Sequence, residues 1–383
     1  MRFSNMWMWA APLTVAAALA ATWCFAADSA AAPKGLVVHE WGTFSTFSGS
    51  DGKNLVFQPY DNDLPEFVHG YLPRNSKEGP RGGSISLETP VLYFYSDRAL
   101  TASVRVDFPK GTLTEWYPHA DRTDRTLAWR RIEVLPGEGL KLPKEEKKSR
   151  YYAARETDAE PLRVTFPEDD PSCVEQEKFL FYRGVGTFDM PLTVRAHGDG
   201  RFTASWNGQG PWGDLILVQV RDGKIRFKPF GLDRGPGGAT RTDVRIPDRD
   251  ASVEELSAAM VRLLTEKGLY EKEARAMVKT WKSAWFGEEG TRVLYVLPDR
   301  LTDELLPLRV EPKPQALLRV LVGRHDVLTP EREKRIDACV TKLIGDHTEE
   351  SPEQRAAEAE LQKLGRYYGA AWGEADARLK HQK

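Results

Sequence analysis

The sequence is poor in the residues and motifs that most directly identify a function. Only three of its 383 residues are cysteines, and none has the Cys-x-x-Cys or Cys/His spacing of a zinc site. Lysine and arginine (54) nearly balance aspartate and glutamate (56), which argues against a broad basic surface for nucleic acid. The Gly-x-Ser-x-Gly motif of many serine hydrolases is also missing, and the Gly-rich stretch 231–240 lacks the ending of a phosphate loop.

One long apolar run is present, at the start of the chain. Arg2 provides a positive charge, residues 6–21 carry none, and small residues follow at 24–32. This pattern is typical of a secretory signal peptide, which we assign to residues 1–30. The run is short for a membrane span. We therefore expect a periplasmic or extracellular protein with no membrane span after processing and no nucleic acid as a partner.

Cys173 and Cys339 lie in the remaining part of the chain. In an oxidising compartment they can form a disulfide, and closing so long a loop would remove conformational freedom from the unfolded chain. Separation in sequence does not give separation in space, so two free thiols are the equal alternative.

Residues 36–245 are dominated by short segments of β-branched and aromatic residues. Asp-Gly pairs at 199–200 and 222–223 predict tight hairpin turns between such segments. We predict a mainly β domain over 36–245, with antiparallel, sandwich-like sheets. The predicted strands are 36–47, 85–95, 102–108, 112–117, 127–134, 178–182, 191–197, 201–206, 215–220 and 224–230.

The chain becomes helix-rich after residue 251. Ser252 and Glu255 predict a capping box at the start of a helix over 253–267, and a second helix is predicted over 270–285. Together with buried strands predicted at 292–297 and 316–322, they form a smaller mixed α/β region, 251–328, packed on the β domain.

The last segment, 329–383, is predicted to be helical. Thr329 and Ser351 each precede a proline, which is the pattern of a helix N-cap followed by proline at the first helical position. The final helix is predicted to carry apolar residues from Leu361 to Trp372 along one face.

The first candidate site lies in the first strand, at His39 and Glu40. Alternate residues of a strand share a face, so His39 points with Trp41 and Glu40 points the other way. His39 is a candidate metal ligand or general base, and Glu40 is a candidate carboxylate in a cleft. The alternative is a strand cap and a buried ion pair.

Two further carboxylates fall in apolar surroundings. Alternation places Glu115 with Leu113 and Tyr117, where it must find a partner or rise in pKa, as general acids do. His119 follows it, although Pro118 is expected to end the strand between them.

Glu88 is the second such carboxylate, grouped by alternation with Leu92 and Phe94. Pro90 within the same strand indicates an edge or a β-bulge. If Glu88 and Glu115 meet in a cleft, they form the carboxylate pair of a glycoside hydrolase. If either binds Arg183, the one charge beside Phe179 and Phe181, they are structural.

Two other hypotheses follow from the same residues. His39 and His119, with Glu40 or Glu115, are candidate ligands of a divalent metal, the possible cofactor. The tryptophans, including Trp206 and Trp212, would suit a glycan binder if they are exposed, although core packing is their commoner use.

The strings HEWGTFSTF, SLETPVLYFYS, TLTEWYP, FLFYRGVGTF, GTRVLYVLP and LLRVLVGR resemble those of a family of secreted, uncharacterised proteins from environmental bacteria, over residues 38–328. The resemblance implies that the β-rich and mixed parts form one unit, and it implies no activity. We therefore expect an envelope or glycan-interacting protein, with a hydrolase and a metal-binding protein as the alternatives.

Overall fold

The computed structural model describes residues 35–59, 63–71, 82–166, 173–207, 214–233, 240–344 and 351–381. The predicted signal peptide and Trp212 lie outside these residues. The strands are β1 Val37–Ser48, β2 His69–Gly70, β3 Ile85–Tyr95, β4 Leu100–Asp107, β5 Gly111–Tyr117, β6 Asp121–Arg122, β7 Thr126–Val134, β8 Leu162–Thr165, β9 Val174–Glu177, β10 Leu180–Gly186, β11 Leu192–Gly198, β12 Arg201–Trp206, β13 Leu215–Arg221, β14 Lys224–Phe230, β15 Thr240–Arg245, β16 Gly290–Val296, β17 Leu308–Glu311 and β18 Ala316–Val327. The helices are α1 Val253–Glu266, α2 Glu271–Phe286, α3 Asp299–Leu305, α4 Pro330–Leu343, α5 Pro352–Gln362 and α6 Tyr368–His381, with 3-10 helices at Arg150–Arg155 and Gly365–Tyr367.

The strands form three sheets, which confirms the mainly β prediction. The large sheet has the order β14-β13-β16-β18-β1-β3-β10-β5-β2; a six-stranded sheet contains β17, β4, β7, β8, β9 and β6, and a three-stranded sheet has the order β11-β12-β15. The pairing is antiparallel with one exception among the described strands, because β1 and β18 run parallel. The large sheet is therefore mixed.

The large sheet is the central layer. Apolar residues of one face, such as Phe44 and Leu92, pack with residues of the six- and three-stranded sheets, such as Trp129 and Phe202, in a sandwich-like core. The other face packs on α1, α2 and the 3-10 helix Arg150–Arg155 in a second core. A third, smaller core joins the C-terminal helices to the end of β1.

The large sheet continues across the predicted boundary between residues 245 and 251. β16 and β18, from the predicted mixed region, lie next to β13 and β1, from the predicted β domain. The segments 36–245 and 251–328 therefore share a sheet, and Pro33–Lys383 is one compact unit.

Local signals in the sequence place most element ends correctly. Ser252 and Glu255 form the predicted capping box, and Thr329 and Ser351 cap helices with proline in the first turn. Asp222 adopts the positive φ (51°) that the hairpin requires. The capping hydrogen bonds of Ser252, Thr329 and Ser351 satisfy backbone N–H groups that a helix start otherwise leaves unpaired.

One expectation about the last part of the chain needs correction. The helix predicted through Leu361 and Trp372 is two helices, because α5 ends at Gln362 and Gly365 takes a positive φ of 54° before α6. Of the two alternatives left open for Cys173 and Cys339, the structure shows the one without a disulfide between them. No helix among the described residues is long and apolar enough to cross a membrane.

Candidate functional site

The predicted carboxylates Glu88 and Glu115 lie on the helix-covered face of the large sheet, with Arg183 between them. They belong to β3 and β5, on either side of β10, which carries Arg183. Arg183 is in register with Glu115, and the charges of both carboxylates act on its guanidinium. A cation therefore stands between the two carboxylates.

Strict strand alternation predicts that Glu88 shares a face with Leu92. A β-bulge beside Pro90 turns Glu88 to the opposite face instead. The register of β1 and β3 shifts next to Gly42, and Thr89 has a positive φ of 52°. Leu92 belongs to the sandwich core, whereas Glu88 points to the opposite face. The predicted bulge is present, and its effect on the side-chain direction was missed.

A β-bulge also changes the direction of Glu115, which strict alternation groups with both Leu113 and Tyr117. The pairing of β10 with β5 shifts between Arg183 and Gly184, opposite Glu115 and Leu113. Leu113 packs in the sandwich core while Tyr117 packs in the helix-side core. Glu115 therefore shares a face with Tyr117 but not with Leu113.

Arg183 binds a carboxylate that the sequence did not single out. Its two terminal nitrogens each lie 2.8 Å from an oxygen of Asp63, and Arg150 lies 2.6 Å from the same carboxylate. Burial would raise the pKa of Asp63, but the two guanidinium groups outweigh it and hold the pKa well below its usual range. Asp63 is thus an ionised structural partner.

Glu88 is paired with an arginine from the C-terminal segment. Arg366, in the 3-10 helix after α5, donates to Glu88 Oε1, and both side chains are almost fully buried. Glu88 Oε2 and the hydroxyls of Thr43 and Ser45 are buried without a hydrogen-bond partner among the described residues. This surrounding favours the structural interpretation of Glu88 over the role of a general acid.

Buried charged side chains that pair with one another also occur on β18 and β16. Asp326 lies 3.0 Å from Arg292 and 2.6 Å from Arg324, and it accepts a 2.8 Å hydrogen bond from Tyr367. Arg292 also donates to the carbonyls of Ala284 and Trp285 at the end of α2. The arginine therefore satisfies helix carbonyls as well as a carboxylate.

His39 and Glu40 point to opposite faces, as alternation predicts. His39 Nδ1 lies 2.8 Å from Glu273 in α2, which also accepts a hydrogen bond from Tyr95. Glu40 is 2.6 Å from Arg319 on the other face and accepts from Tyr182. Each residue is therefore held in a separate buried polar group.

His119 lies in a third environment. Its ring packs on Phe166 and meets His69 edge to face, at 4.9 Å between ring centroids. His69 in turn lies 2.8 Å from Glu175. Burial and the neighbouring His69 lower the pKa of His119.

The predicted metal ligands do not converge. His39, Glu40 and His119 have different neighbours, and the described residues contain no group of three or more histidine, cysteine, aspartate or glutamate side chains that could hold a metal ion. The described residues therefore provide no set of ligands for the predicted metal site.

The tryptophans do not form the exposed platform that was considered for sugar binding. Trp206, one of the two residues named for that role, is 4% exposed and packs in the sandwich core. Five other described tryptophans are buried, namely Trp41, Trp116, Trp129, Trp281 and Trp285, and Trp372 is half-buried. These indoles serve packing, the commoner use.

A cleft of about 840 Å³ lies at one end of several strands of the large sheet. It lies where the β11–β12 hairpin, the ends of β13, β15, β16 and β18, and the first turns of α4 meet. Such a volume is typical of small-molecule sites. The half-buried Leu364 contributes apolar surface to its wall, which Phe47 and Phe202, both almost fully buried, also line.

Charged groups of both signs line this cleft. Its arginines are Arg201, Arg221, Arg226, Arg245, Arg332 and Arg335, and its carboxylates are Asp199, Asp248, Glu289, Asp326 and Glu331. Some are committed, as Arg226 is to Asp250 (2.7 Å) and Arg332 to Glu360 (2.7 Å). Arg201 and Arg245 have no ion-pair partner among the described residues.

Sequence reasoning missed this cleft. Its residues come from ten separate strands and helices, and none forms a recognisable motif. One signal was available in β15, where Arg241 and Arg245 mark an outward sheet face, and of these two residues Arg245 lines the cleft.

Comparisons with known proteins leave the chain without a family. No family model matches it, and no curated protein does. Among solved structures, the yeast delta-COP-I mu-homology domain matches 77% of this chain and 99% of its own length, with 8% sequence identity and a TM-score of 0.29. A likeness this weak carries no argument about function.

Proposed function

We propose that this is an exported, non-catalytic glycan-binding protein of the cell envelope, and that the 840 Å³ cleft is its binding site. The observation that carries the proposal is the mixture of guanidinium and carboxylate groups around partly apolar walls in that cleft. Sugar hydroxyls both donate and accept hydrogen bonds, so they match arginine donors and carboxylate acceptors together. The apolar wall suits the C–H surface of a sugar ring.

The surroundings of the predicted carboxylate pair support a binding protein over a hydrolase. A glycoside hydrolase needs two carboxyl groups facing an open cleft. Glu88 is 1% exposed and paired with Arg366, and Arg183 stands between it and Glu115. The cleft lies elsewhere and is not lined by either carboxylate.

Binding to the cleft is testable with the mature protein and an array of neutral and acidic bacterial oligosaccharides. The tightest array ligand is then titrated calorimetrically against Gln219→Ala and Arg335→Ala, which remove two polar groups of the cleft wall. We expect each to weaken binding about tenfold, equal to about 1.4 kcal/mol. Arg131→Ala, on the exposed face of the six-stranded sheet, is the control and should bind like the wild type.

Two results would overturn the proposal. One is that no oligosaccharide on the array binds. The other is that both cleft variants bind with wild-type affinity.

Export is a separate part of the proposal and rests on the sequence of residues 1–30. We expect the protein isolated from the periplasm to begin between residues 26 and 32, where small residues follow the apolar run. Intact-mass analysis of that protein gives the first residue. A full-length chain retained in the cytoplasm would contradict export without affecting the cleft.

A further inference from the structure

The outward face of the three-stranded sheet carries an excess of arginine. Its inward face, with residues such as Phe202 and Val244, packs in the sandwich core. Four arginines alternate with those inward residues and are exposed, namely Arg195, Arg201, Arg241 and Arg245. Asp243 is the one carboxylate on the outward face of these three strands.

The register places two of these arginines directly opposite each other. Arg201 in β12 is the cross-strand partner of Arg245 in β15. Like charges in this position destabilise a sheet. Asp243 accepts a 2.6 Å hydrogen bond from Thr203 and lies 3.7 Å from Arg241, so it neutralises neither member of the pair.

In a second cross-strand arginine pair, a neighbouring carboxylate offsets the repulsion between the two guanidinium groups. Arg309 in β17 is the cross-strand partner of Arg105 in β4. Asp107 lies 3.0 Å from Arg105, and the charge of Arg309 acts on the same carboxylate. Among the described residues no carboxylate forms an ion pair with Arg201 or Arg245, which indicates a surface suited to an external anion.

The arginine face is continuous with the cleft. Arg201 and Arg245 line the cleft and also belong to the face, whereas Arg195 and Arg241 lie beyond the cleft. Arg241 and Arg245 are four residues apart on one strand, which corresponds to about 13 Å. That distance exceeds the reach of a single anionic group.

We infer that the ligand of the cleft is an acidic polysaccharide, whose chain leaves the cleft and crosses the arginine face. This rests on the proposed function and names the ligand's class. Arginine suits this role because its planar guanidinium binds a carboxylate or phosphate through two parallel hydrogen bonds. The net charge of the whole chain, −2, makes this local excess of positive charge stand out.

The experiment compares two lengths of one acidic glycan. Polygalacturonate and its trisaccharide are titrated against the wild type and the Arg195→Ser/Arg241→Ser double variant, with dextran as the neutral polymer. We expect the variant to bind polygalacturonate about tenfold more weakly and the trisaccharide with unchanged affinity. Arg309→Ser is the matched control, because it removes an exposed sheet arginine outside this face.

The outcomes separate this inference from the proposed function. Equal affinity of the double variant and the wild type for polygalacturonate overturns the inference, as does dextran binding as tightly as polygalacturonate. Duplex DNA binding as tightly as polygalacturonate also overturns it, because the face would then recognise charge without regard to the glycan. Failure of every glycan to bind the cleft is a failure of the proposed function.

Discussion

Two sheet faces of this protein are rich in arginine, and they differ in what the arginines meet. On the helix-covered face of the large sheet, Arg183 and Arg324 are buried and each binds at least one carboxylate. On the outward face of the three-stranded sheet, Arg201 and Arg245 are exposed and face each other. The first face resembles an ion-paired interior, and the second resembles an open binding surface.

The difference follows from the cost of burying charge. A buried guanidinium without a carboxylate is strongly unfavourable, so each buried arginine comes with partners from several elements. An exposed guanidinium remains hydrated and can be left unmatched at small cost. Arginine at a sheet position is therefore informative about ligands only when it is exposed and lacks an acid.

The buried face should respond most strongly to mutation. Arg366→Met leaves Glu88 buried without its cation, and we expect the free energy of unfolding to fall by about 3–5 kcal/mol. Urea denaturation measures the change. The double variant Glu88→Gln/Arg366→Met should be more stable than Arg366→Met alone, because it removes the unpaired charge as well. A change below about 0.5 kcal/mol for Arg366→Met would mean that this pair does not hold the C-terminal segment.

A buried histidine on the sandwich side of β18 should make the fold sensitive to acid. His325 lies between the hydroxyls of Thr46 and Ser48, and burial lowers its pKa to about 4. The unfolded chain, with a histidine pKa near 6.5, binds this proton more readily. Stability is therefore retained above pH 6.5 and lost as pH falls towards 4, by about 3 kcal/mol in total.

The variant His325→Gln tests this assignment. It keeps hydrogen-bonding atoms at the site and removes the titration, so unfolding free energy should depend less on pH between 6.5 and 4. Leu317→Ala, at an exposed position without a titratable group, is the control and should keep the wild-type slope. Identical slopes for all three proteins would show that other groups cause the acid sensitivity.

The smallest expected effect has the opposite sign and belongs to the exposed face. Arg245→Thr removes one member of the unneutralised arginine pair, and we expect a gain of about 0.5 kcal/mol in unfolding free energy. Arg309→Thr, in the pair that Asp107 neutralises, should give no such gain. Thermal denaturation of both variants measures these changes. A loss of stability in Arg245→Thr would show that the Arg245 side chain makes contacts that stabilise the folded state.

The sequence was sufficient for features that depend on local chemistry. The capping box at Ser252 and the positive φ at Asp222 follow from a few neighbouring residues, and both are present. The mainly β class followed from composition and spacing along 36–245. Such features need no knowledge of which strands become neighbours.

Contacts between distant parts of the chain were beyond sequence reasoning. Arg183 was recognised as the charge near Glu88 and Glu115, but its partner Asp63 lies 120 residues away. Glu88 takes its cation from Arg366, 278 residues away. One-residue bulges also reversed the side-chain directions of Glu88 and Glu115, because strand alternation fails at each extra residue.

The parallel pairing of β1 with β18 also governs when the chain can finish folding. Glu40 in β1 and its partner Arg319 in β18 are 279 residues apart, and β1 is an interior strand of the large sheet. A chain synthesised from its N-terminus leaves β1 without one neighbour until β18, which ends at Val327, has been made. Folding dominated by such distant pairing is slow and exposes strand edges meanwhile. The topology thus postpones completion of the large sheet until most of the chain is present, and until then one edge of β1 is open to pairing with other chains.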